Sequence, residues 1–268
     1  MSLGHHFTVD AHVAEYFDGR AADYDKQEFH QQIAARVAAS YQPSRCDRLL
    51  DIGTGTGLVL RHLLRDAIVH SAVGIDISRE MITRARRVAS QAHFIVGDAH
   101  DLPFRSGAFE AVFCANSLMY FHDPLRAIFE ASRVCCERGL VTLATFQRGG
   151  IPSQRFLIMA AAEMGVRIHD PSGRWSDPNE LASDARKFGL TEVSQSVLIF
   201  PDTRPNPLAG WDSFVKSPFG RTLRGLRPRL SDELRDRYLA KYSDSRRADV
   251  TQLDRHLILF IGRKVQHG

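Results

Sequence analysis

The chain has 268 residues, of which 44% are hydrophobic, 35 are lysine or arginine and 31 are aspartate or glutamate. This length accommodates one α/β domain with additions or two small domains, and the apolar fraction supports a full core. The nearly balanced charge gives no reason to expect nucleic acid as a partner, and no apolar stretch approaches the ~20 residues of a membrane span.

The histidines and cysteines form no recognisable metal-site or export pattern. The twelve histidines lack partners at ligand spacing, and the four cysteines have no zinc-type spacing. Residues 1–6 lack the apolar core of a signal peptide. We therefore expect a cytoplasmic protein with reduced cysteines and no metal ion.

Two amphipathic helices are predicted between residues 8 and 40, because apolar side chains recur there at helical spacing. The apolar positions are Val13, Ala14, Tyr16 and Phe17 in the first helix, and Phe29, Ile33, Ala34, Val37 and Ala38 in the second. We expect residues 1–41 to form an N-terminal helical cap.

A strand, a glycine loop and a helix come next. The apolar run Arg48–Ile52 indicates a buried parallel strand, and glycines then alternate with threonines over Gly53–Gly57. This order is typical of a nucleotide-binding turn. A dinucleotide fingerprint would require another glycine where Leu58 stands, which disfavours an NAD-linked oxidoreductase. The carboxylate of Asp51 suits a ligand with a positive group, such as the amino end of a methionine moiety.

Two further buried strands also end in aspartate. They are predicted over Ser71–Asp76 and His93–Asp98, and Ser78 can cap the helix that follows the first of them. An acid at the tip of the second strand is placed to accept hydrogen bonds from both ribose hydroxyls of a nucleoside. We therefore expect Asp76 to bind a ribose.

The fourth strand leads to the candidate catalytic residues. It is predicted over Phe109–Asn116, and its continuation carries Tyr120 and His122 at the carboxyl end of a central strand, where ligands of open α/β sheets bind. His122 is the first candidate for a general base, with Tyr120 and His100 behind it. A base is needed only if the group to be modified is a hydroxyl or a protonated amine.

The remainder of the chain predicts helices and two more strands after a fifth strand over Gly139–Phe146. Residues 201–254 stand out, because an apolar group around Trp211 and Phe214 precedes leucines at helical spacing. The expected boundaries are a core at 42–147, lid insertions at 148–190 and 201–254, and edge strands at 191–200 and 255–264. All belong to one domain spanning residues 1–268. If the leucines do not serve a lid, they serve a homodimer interface.

Three segments together carry a family resemblance: the glycine loop, Phe17–Asp25 with the pattern F-D-x-x-A-x-x-Y-D, and Gly97–Phe104 with G-D-A-x-x-L-P-F. The chain resembles the class I S-adenosylmethionine (SAM)-dependent methyltransferases of the ubiquinone/menaquinone type (type 11). The resemblance implies an α/β, Rossmann-like, seven-stranded mixed sheet with an antiparallel last strand, helices on both faces and helical lid insertions. One departure is Cys136–Gly139, where the family usually has a Pro-Gly-Gly turn.

The resemblance also implies SAM as the cofactor and a set of residues that bind it. Tyr24 would lie at the methionine end, Asp98 would accept from the adenine amine, the Ala99 backbone would meet a ring nitrogen, and Met81 with Ile82 would form an apolar wall for adenine. The full expected set is Tyr24, Asp51, Gly53, Thr54, Gly55, Gly57, Asp76, Ile77, Met81, Asp98, Ala99 and Asn116.

These observations predict a methyltransferase that acts on O, N or C of a small organic molecule, with an aromatic compound or a natural-product intermediate as the favoured acceptor. Methylation of RNA or protein is the first alternative. It is disfavoured because the Pro-Pro motif of nucleobase amino-group methylation is missing after Asn116, and because the arginines near the leucines face acids. A SAM-binding protein without catalysis is the second alternative.

Overall fold

The computed structural model describes residues 3–41, 45–66, 68–201, 206–248 and 253–265. In the first half the elements are α1 (Leu3–Asp18), α2 (Glu28–Ala39), β1 (Arg45–Ile52), α3 (Leu58–Asp66), β2 (Ile68–Asp76), α4 (Arg79–Val88), β3 (His93–Val96), β4 (Phe109–Ala115), α5 (Pro124–Val134) and β5 (Cys135–Phe146). The second half contains α6 (Pro152–Glu163), α7 (Pro178–Arg186), β6 (Leu190–Phe200), α8 (Pro207–Lys216), α9 (Arg221–Arg224), α10 (Pro228–Ala248) and β7 (Arg255–Lys264).

Seven strands form one mixed sheet in the order β3-β2-β1-β4-β5-β7-β6. The pairs β1–β2, β1–β4, β2–β3 and β4–β5 are parallel, and the last strand is antiparallel. The central strand β1 is buried on both faces, as its uninterrupted apolar run predicts, with Leu49, Leu50 and Ile52 fully inaccessible. Parallel neighbours bring the carboxyl ends of these strands to one edge of the sheet. The predicted fold class is confirmed.

Local sequence signals explain where the helices around this edge begin. The Ser78 hydroxyl accepts a hydrogen bond from the Met81 amide at 3.1 Å, and the Asp123 carboxylate accepts one from the Arg126 amide at 3.0 Å. Each side chain satisfies an amide that the first turn of a helix leaves unpaired, and Pro124 follows as the first helical residue.

Several strand boundaries differ from the predictions by a few residues, and two of these differences have a clear local cause. β5 begins at Cys135, four residues before the predicted start, because Cys136–Gly139 lacks the proline that would interrupt a strand. β4 ends at Ala115, since Asn116 adopts a left-handed conformation with φ 58° and leaves the ladder.

The chain divides into two compact units. The first comprises Met1–Thr145, Pro178–Ser196 and Leu259–Gly268, and the second comprises Phe146–Asp177 and Val197–Ile258. The first unit contains most of the sheet together with α1 to α5 and α7. No helix in the described part of the chain is both long and apolar enough to cross a membrane.

The second unit is helical and has its own hydrophobic core. Helix α6 packs with α8 and α10, and the predicted apolar group around Trp211 is part of this core. The leucines predicted at helical spacing lie on two helices rather than one, because Gly225 caps α9 before α10 begins. Leu223 and Leu234 are buried, and the buried Tyr238 hydroxyl donates to the Pro207 carbonyl at 2.8 Å.

Candidate cofactor site

A cavity opens in the first unit at the carboxyl ends of the parallel strands, and its open volume is about 980 Å³. Its lining comes from α1, α2, the glycine loop and the ends of β2, β3 and β4. Eleven of the twelve predicted cofactor residues line it: Tyr24, Asp51, Gly53, Thr54, Gly55, Asp76, Ile77, Met81, Asp98, Ala99 and Asn116. The tertiary structure therefore gathers residues that are up to 92 positions apart (116 − 24) around one volume.

Glycine is required at the three positions of the loop for different structural reasons. All three have positive φ, of 66°, 55° and 79° for Gly53, Gly55 and Gly57. A Cβ at Gly53 would lie 2.4 Å from the Ser117 hydroxyl, and one at Gly57 would lie 3.0 Å from the Phe94 ring, so these two positions serve close packing. A Cβ at Gly55 would meet nothing within 4 Å. Gly55 therefore leaves open space where a ligand can approach the backbone.

Asp51, at the end of β1, is a buried carboxyl group beside the glycine loop. The Thr54 hydroxyl donates to its Oδ2 at 2.7 Å. Burial raises the pKa of Asp51 to about 7, since water no longer stabilises the charged form; the Thr54 hydrogen bond opposes this shift, and the nearby Asp76 carboxylate contributes to it. A cationic ligand group would stabilise the ionised carboxylate here.

Asp76, at the end of β2, holds the glycine loop in place. Its Oδ2 accepts from the Gly55 amide at 2.8 Å, and its Oδ1 accepts from the Ser78 amide at 2.9 Å. Burial raises the pKa of Asp76 to about 6, which these two hydrogen bonds oppose. Each carboxylate oxygen can accept more than one hydrogen bond, so acceptor capacity remains for a ligand hydroxyl.

Asp98 follows β3 and is linked to a histidine that the sequence analysis did not assign to the cofactor. Its Oδ1 accepts from the His100 amide at 2.9 Å and contacts the ring Nδ1 of the same residue at 2.6 Å. The hydrogen bond from the His100 ring holds the pKa of Asp98 below its ordinary value. One oxygen thus closes the turn, and Oδ2 is the atom available to a ligand amine. The sequence signal that could have indicated this link is an acid two residues before a histidine.

The two candidate catalytic residues have different positions. Tyr120 lines the cavity, and its ring packs edge-on against Phe17 with centroids 4.8 Å apart. Burial raises the pKa of Tyr120 far above its ordinary value. His122 is not among the lining residues, and its ring packs against that of His100 with centroids 3.9 Å apart.

Tyr24 and Asn116 form a polar part of the lining. The Tyr24 ring stacks on His30 with centroids 3.9 Å apart, its hydroxyl interacts with the Asn116 side chain, and burial raises the pKa of Tyr24 to about 12. The Asn116 Oδ1 atom is buried without a hydrogen-bond partner. A buried amide oxygen without a partner is costly, so its place on the cavity wall fits a ligand that donates a hydrogen bond.

Two carboxylates attach the N-terminal part of the chain to the site: Asp18, the last residue of α1, binds the start of α4, and Asp25, between α1 and α2, binds the glycine loop. Asp18 accepts from the Ser78 hydroxyl at 2.5 Å and from the Glu80 amide at 3.1 Å. Asp25 accepts from the Thr56 hydroxyl and lies 3.5 Å from the Arg61 guanidinium. Sequence reasoning missed these contacts, because they join residues far apart in the chain.

A sheet with this strand order and acids at three adjacent strand ends defines an α/β protein that binds a nucleoside-containing cofactor at the carboxyl edge of the sheet. A family model described as "Methyltransferase domain" matches residues 50–143. A demethylmenaquinone methyltransferase from Roseiflexus castenholzii is 37% identical over 177 residues, which cover 60% of this chain and 74% of that protein.

A malonyl-[acyl-carrier protein] O-methyltransferase from Halorhodospira halophila is 31% identical over 188 residues, covering 67% of this chain and 61% of that protein. The chain spans between 42% and 61% of the length of three curated methyltransferases that it matches. A solved complex between the Haloferax volcanii Trm112 methyltransferase activator and a methyltransferase contains a chain with the same fold, at TM-score 0.64 and 22% identity, covering 96% of this chain and 99% of that one.

The chain belongs to the class I SAM-dependent methyltransferases, as a member of the type 11 family. SAM is its cofactor, and the site contains groups that fit each part of it: acids for the ammonium and hydroxyls, an open glycine for close approach, and an apolar wall at Met81. This membership removes the NAD-linked oxidoreductase from consideration.

Proposed function

We propose that this protein transfers the methyl group of SAM to a small organic acceptor, free or attached to a carrier. The observation that supports this most directly is the arrangement of Asp51, Asp76 and Asp98 around one cavity that Gly55 leaves open. Three carboxylates in this order match an ammonium, a ribose and an adenine amine along a single extended molecule.

Each residue has a defined task in this proposal. Asp51 binds the ammonium of the methionine part, assisted by the unpaired Oδ1 of Asn116. Asp76 accepts from the ribose hydroxyls with the lone pairs that the Gly55 and Ser78 amides leave unused. Asp98 accepts from the adenine amine through Oδ2, and the buried Met81 side chain covers the ring.

When bound, SAM supplies a methyl group on a positively charged sulfur, which is displaced in line by the acceptor atom. The task of the protein is therefore to hold the acceptor collinear with the breaking bond and to exclude water. The aromatic side chains of Phe17, Tyr24, Tyr120 and Phe121 line the cavity and suit this role.

The candidate bases argue for an acceptor that is already ionised. Tyr120 stays protonated at neutral pH, because burial raises its pKa, so it can donate a hydrogen bond but cannot remove a proton. His122 lies against His100 outside the lining, and its role as a base remains a prediction. A carboxylate needs no base, because it is an anion at neutral pH. We therefore propose O-methylation of a small acid, which agrees with the printed activity of the Halorhodospira relative.

The alternative acceptor is an aromatic compound, which agrees with the demethylmenaquinone relative and with the aromatic lining. For either acceptor we propose that the second unit acts as a substrate lid. Support comes from its separate core and from the position of residues 201–254 between β6 and β7. That nucleic acid is not a partner, and that the leucines serve a homodimer if they do not serve a lid, remain untested predictions.

Binding and turnover experiments test the proposal in sequence. Calorimetry should detect binding of SAM and S-adenosylhomocysteine but not of NAD. Incubation with methyl-labelled SAM and a panel of organic acids and their neutral amides should then label only acids. Labelling of amides or quinols instead of acids would refute the ionised acceptor, and absence of cofactor binding would refute the function.

A further inference from the structure

Asp98, the acid that we assign to the adenine amine, is held on one side by a histidine. Its Oδ1 accepts from the His100 amide at 2.9 Å and lies 2.6 Å from the ring Nδ1 of the same residue. The His100 side chain is 10% exposed, whereas the Asp98 side chain is 44% exposed, and both residues line the cavity. A buried ring therefore stands behind a carboxylate that a ligand can reach.

The other nitrogen of the His100 ring faces the start of α5. The Asp123 amide donates to Nε2 at 3.4 Å, and the Arg126 Nε donates to the His100 carbonyl at 3.0 Å. A backbone amide can only donate a hydrogen bond, so Nε2 accepts and the ring proton lies on Nδ1. Nδ1 therefore donates to Asp98. The start of α5 thus selects the tautomer of His100 that Asp98 requires.

Ring packing also fixes the orientation of His100. The Phe121 ring packs edge-on against it with centroids 5.6 Å apart, and the His122 ring lies at 3.9 Å between centroids. Both neighbours belong to the segment between β4 and α5. Aromatic contacts of this kind favour a defined ring geometry. His100 is therefore oriented by contacts that do not involve Asp98, and the carboxylate aligns with the ring.

The hydrogen bond from His100 determines what Asp98 offers to a ligand. The last torsion of an aspartate is broad and roughly two-fold, so a donor fixed on Oδ1 restricts a group that would otherwise turn. The same hydrogen bond holds the pKa of Asp98 below its ordinary value, so the group is an anion at neutral pH. An ionised carboxylate only accepts hydrogen bonds, and Oδ2 is the atom left to accept from an amine.

We propose that His100 is a positioning residue, which acts through Asp98 to make the site select adenine by its exocyclic amine. The inference rests on the proposed function, because it takes Asp98 as the acceptor of that amine. The essential group is the N–H donor at Nδ1, which holds Oδ1 and leaves Oδ2 to the ligand.

Three substitutions of His100 separate the roles of its two ring nitrogens. His100→Asn places an amide N–H close to the position of Nδ1 and can keep the bond to Asp98. His100→Gln places its amide near the position of Nε2 and can keep only the contact with Asp123. His100→Phe keeps an aromatic ring and removes both contacts. His93→Phe is the matched control, because His93 is an exposed histidine of β3 outside the cavity lining.

Two ligands that differ only in the amine provide the measurement. Calorimetry compares S-adenosylhomocysteine with its counterpart in which hydrogen replaces the adenine amine, and the ratio of the two Kd values is the amine preference. The wild type and His93→Phe should prefer S-adenosylhomocysteine about tenfold to a hundredfold, the range of one charge-assisted hydrogen bond. Thermal melts establish that every variant is folded.

A selective loss supports the positioning role. His100→Phe should bind the deaminated ligand within about a factor of two of the wild type, while its amine preference falls to about threefold or less, the value of a weak hydrogen bond. His100→Asn should restore most of the amine preference, because it returns a donor to Oδ1. His100→Gln should not restore it.

Four results overturn the positioning role. An equal loss for both ligands in His100→Phe would mean that the ring only supports the cavity wall. An unchanged amine preference in that variant would mean that Asp98 needs no partner. Restoration by His100→Gln but not by His100→Asn would assign the effect to the start of α5.

The fourth result is a wild type that binds S-adenosylhomocysteine without any amine preference, since Asp98 would then not accept from the amine. That outcome leaves the proposed function intact. The proposed function fails separately, when the wild type does not bind S-adenosylhomocysteine at all.

Discussion

Gly55→Val provides the sharpest test of the cofactor site, because the chain contains a matched control. Gly55 has φ 55° and Gly165 has φ 68°, and an added Cβ at either position would meet nothing within 4 Å. Gly55 lines the cavity, whereas Gly165 is an exposed residue of the second unit. Valine therefore imposes similar backbone strain at both positions but enters the cavity at only one.

The expected effects distinguish backbone strain, which both variants share, from occupation of the cavity by the valine side chain, which only Gly55→Val causes. A left-handed conformation costs an L-residue about 1–2 kcal/mol, and β-branching adds to this cost in both variants. At about 2–4 °C per kcal/mol for a chain of this size, both melting temperatures should fall by several degrees. In Gly55→Val the methyl groups occupy the approach of the cofactor to the loop, so we expect affinity for S-adenosylhomocysteine to fall at least about a hundredfold, or roughly 2.7 kcal/mol.

Calorimetry and thermal melts on the two variants measure these effects side by side. Gly165→Val should bind S-adenosylhomocysteine as the wild type does, within about a factor of two. Near-normal affinity in folded Gly55→Val would refute the argument, because the open space at this glycine would then serve no ligand. An equal loss in both variants would assign the effect to stability.

Three further predictions address other parts of the molecule. Asp76→Ala should weaken S-adenosylhomocysteine by about 2–4 kcal/mol in calorimetry, since charge-assisted hydrogen bonds to the ribose are lost; unchanged affinity in the folded variant would remove the ribose role. The pKa of Asp51 in the folded protein is raised to about 7, so this group contributes fully to the stability of the unliganded fold at pH values below the ordinary pKa of aspartate. That contribution is lost as the pH rises through 7. The increase in melting temperature on adding S-adenosylhomocysteine should therefore be larger at pH 8 than at pH 5.5, and a pH-independent increase would contradict an ionised Asp51 facing the ligand ammonium. Leu234→Ala should destabilise the second unit by about 2–5 kcal/mol in denaturant melts, because Leu234 is fully buried. It should lower turnover but leave cofactor affinity intact, because Leu234 does not line the cavity. Unimpaired turnover in the destabilised variant would argue against a lid.

The core of the second unit also limits how its role as a lid can be tested. Removing residues 201–254 would strip α8 and α10 from α6 and expose the apolar face formed by Phe156 and Leu157. A deleted protein could lose turnover through aggregation alone. Single substitutions such as Leu234→Ala keep both halves of the core present and are the better experiment.

Local sequence patterns predict much of the fold and of the candidate site. The buried run before Asp51 predicts a central parallel strand, because a strand covered on both faces has no polar alternation. Ser78 and Asp123 mark the beginnings of their helices, because a cap acts within three residues. The three strand-end acids also follow from local pattern, since parallel strands with buried faces must present their carboxyl ends at one edge of the sheet.

Only the tertiary structure decided which of these residues share the cavity. Gly53, Gly55 and Gly57 are equivalent in sequence, yet only Gly55 faces open space, because the neighbours of the other two, Ser117 and Phe94, arrive from distant parts of the chain. The attachment of Asp18 to Ser78 likewise depends on a contact across 60 residues. Periodicity and capping act over a few residues, whereas the partner of a side chain depends on packing between elements, and this packing has no local sequence signal.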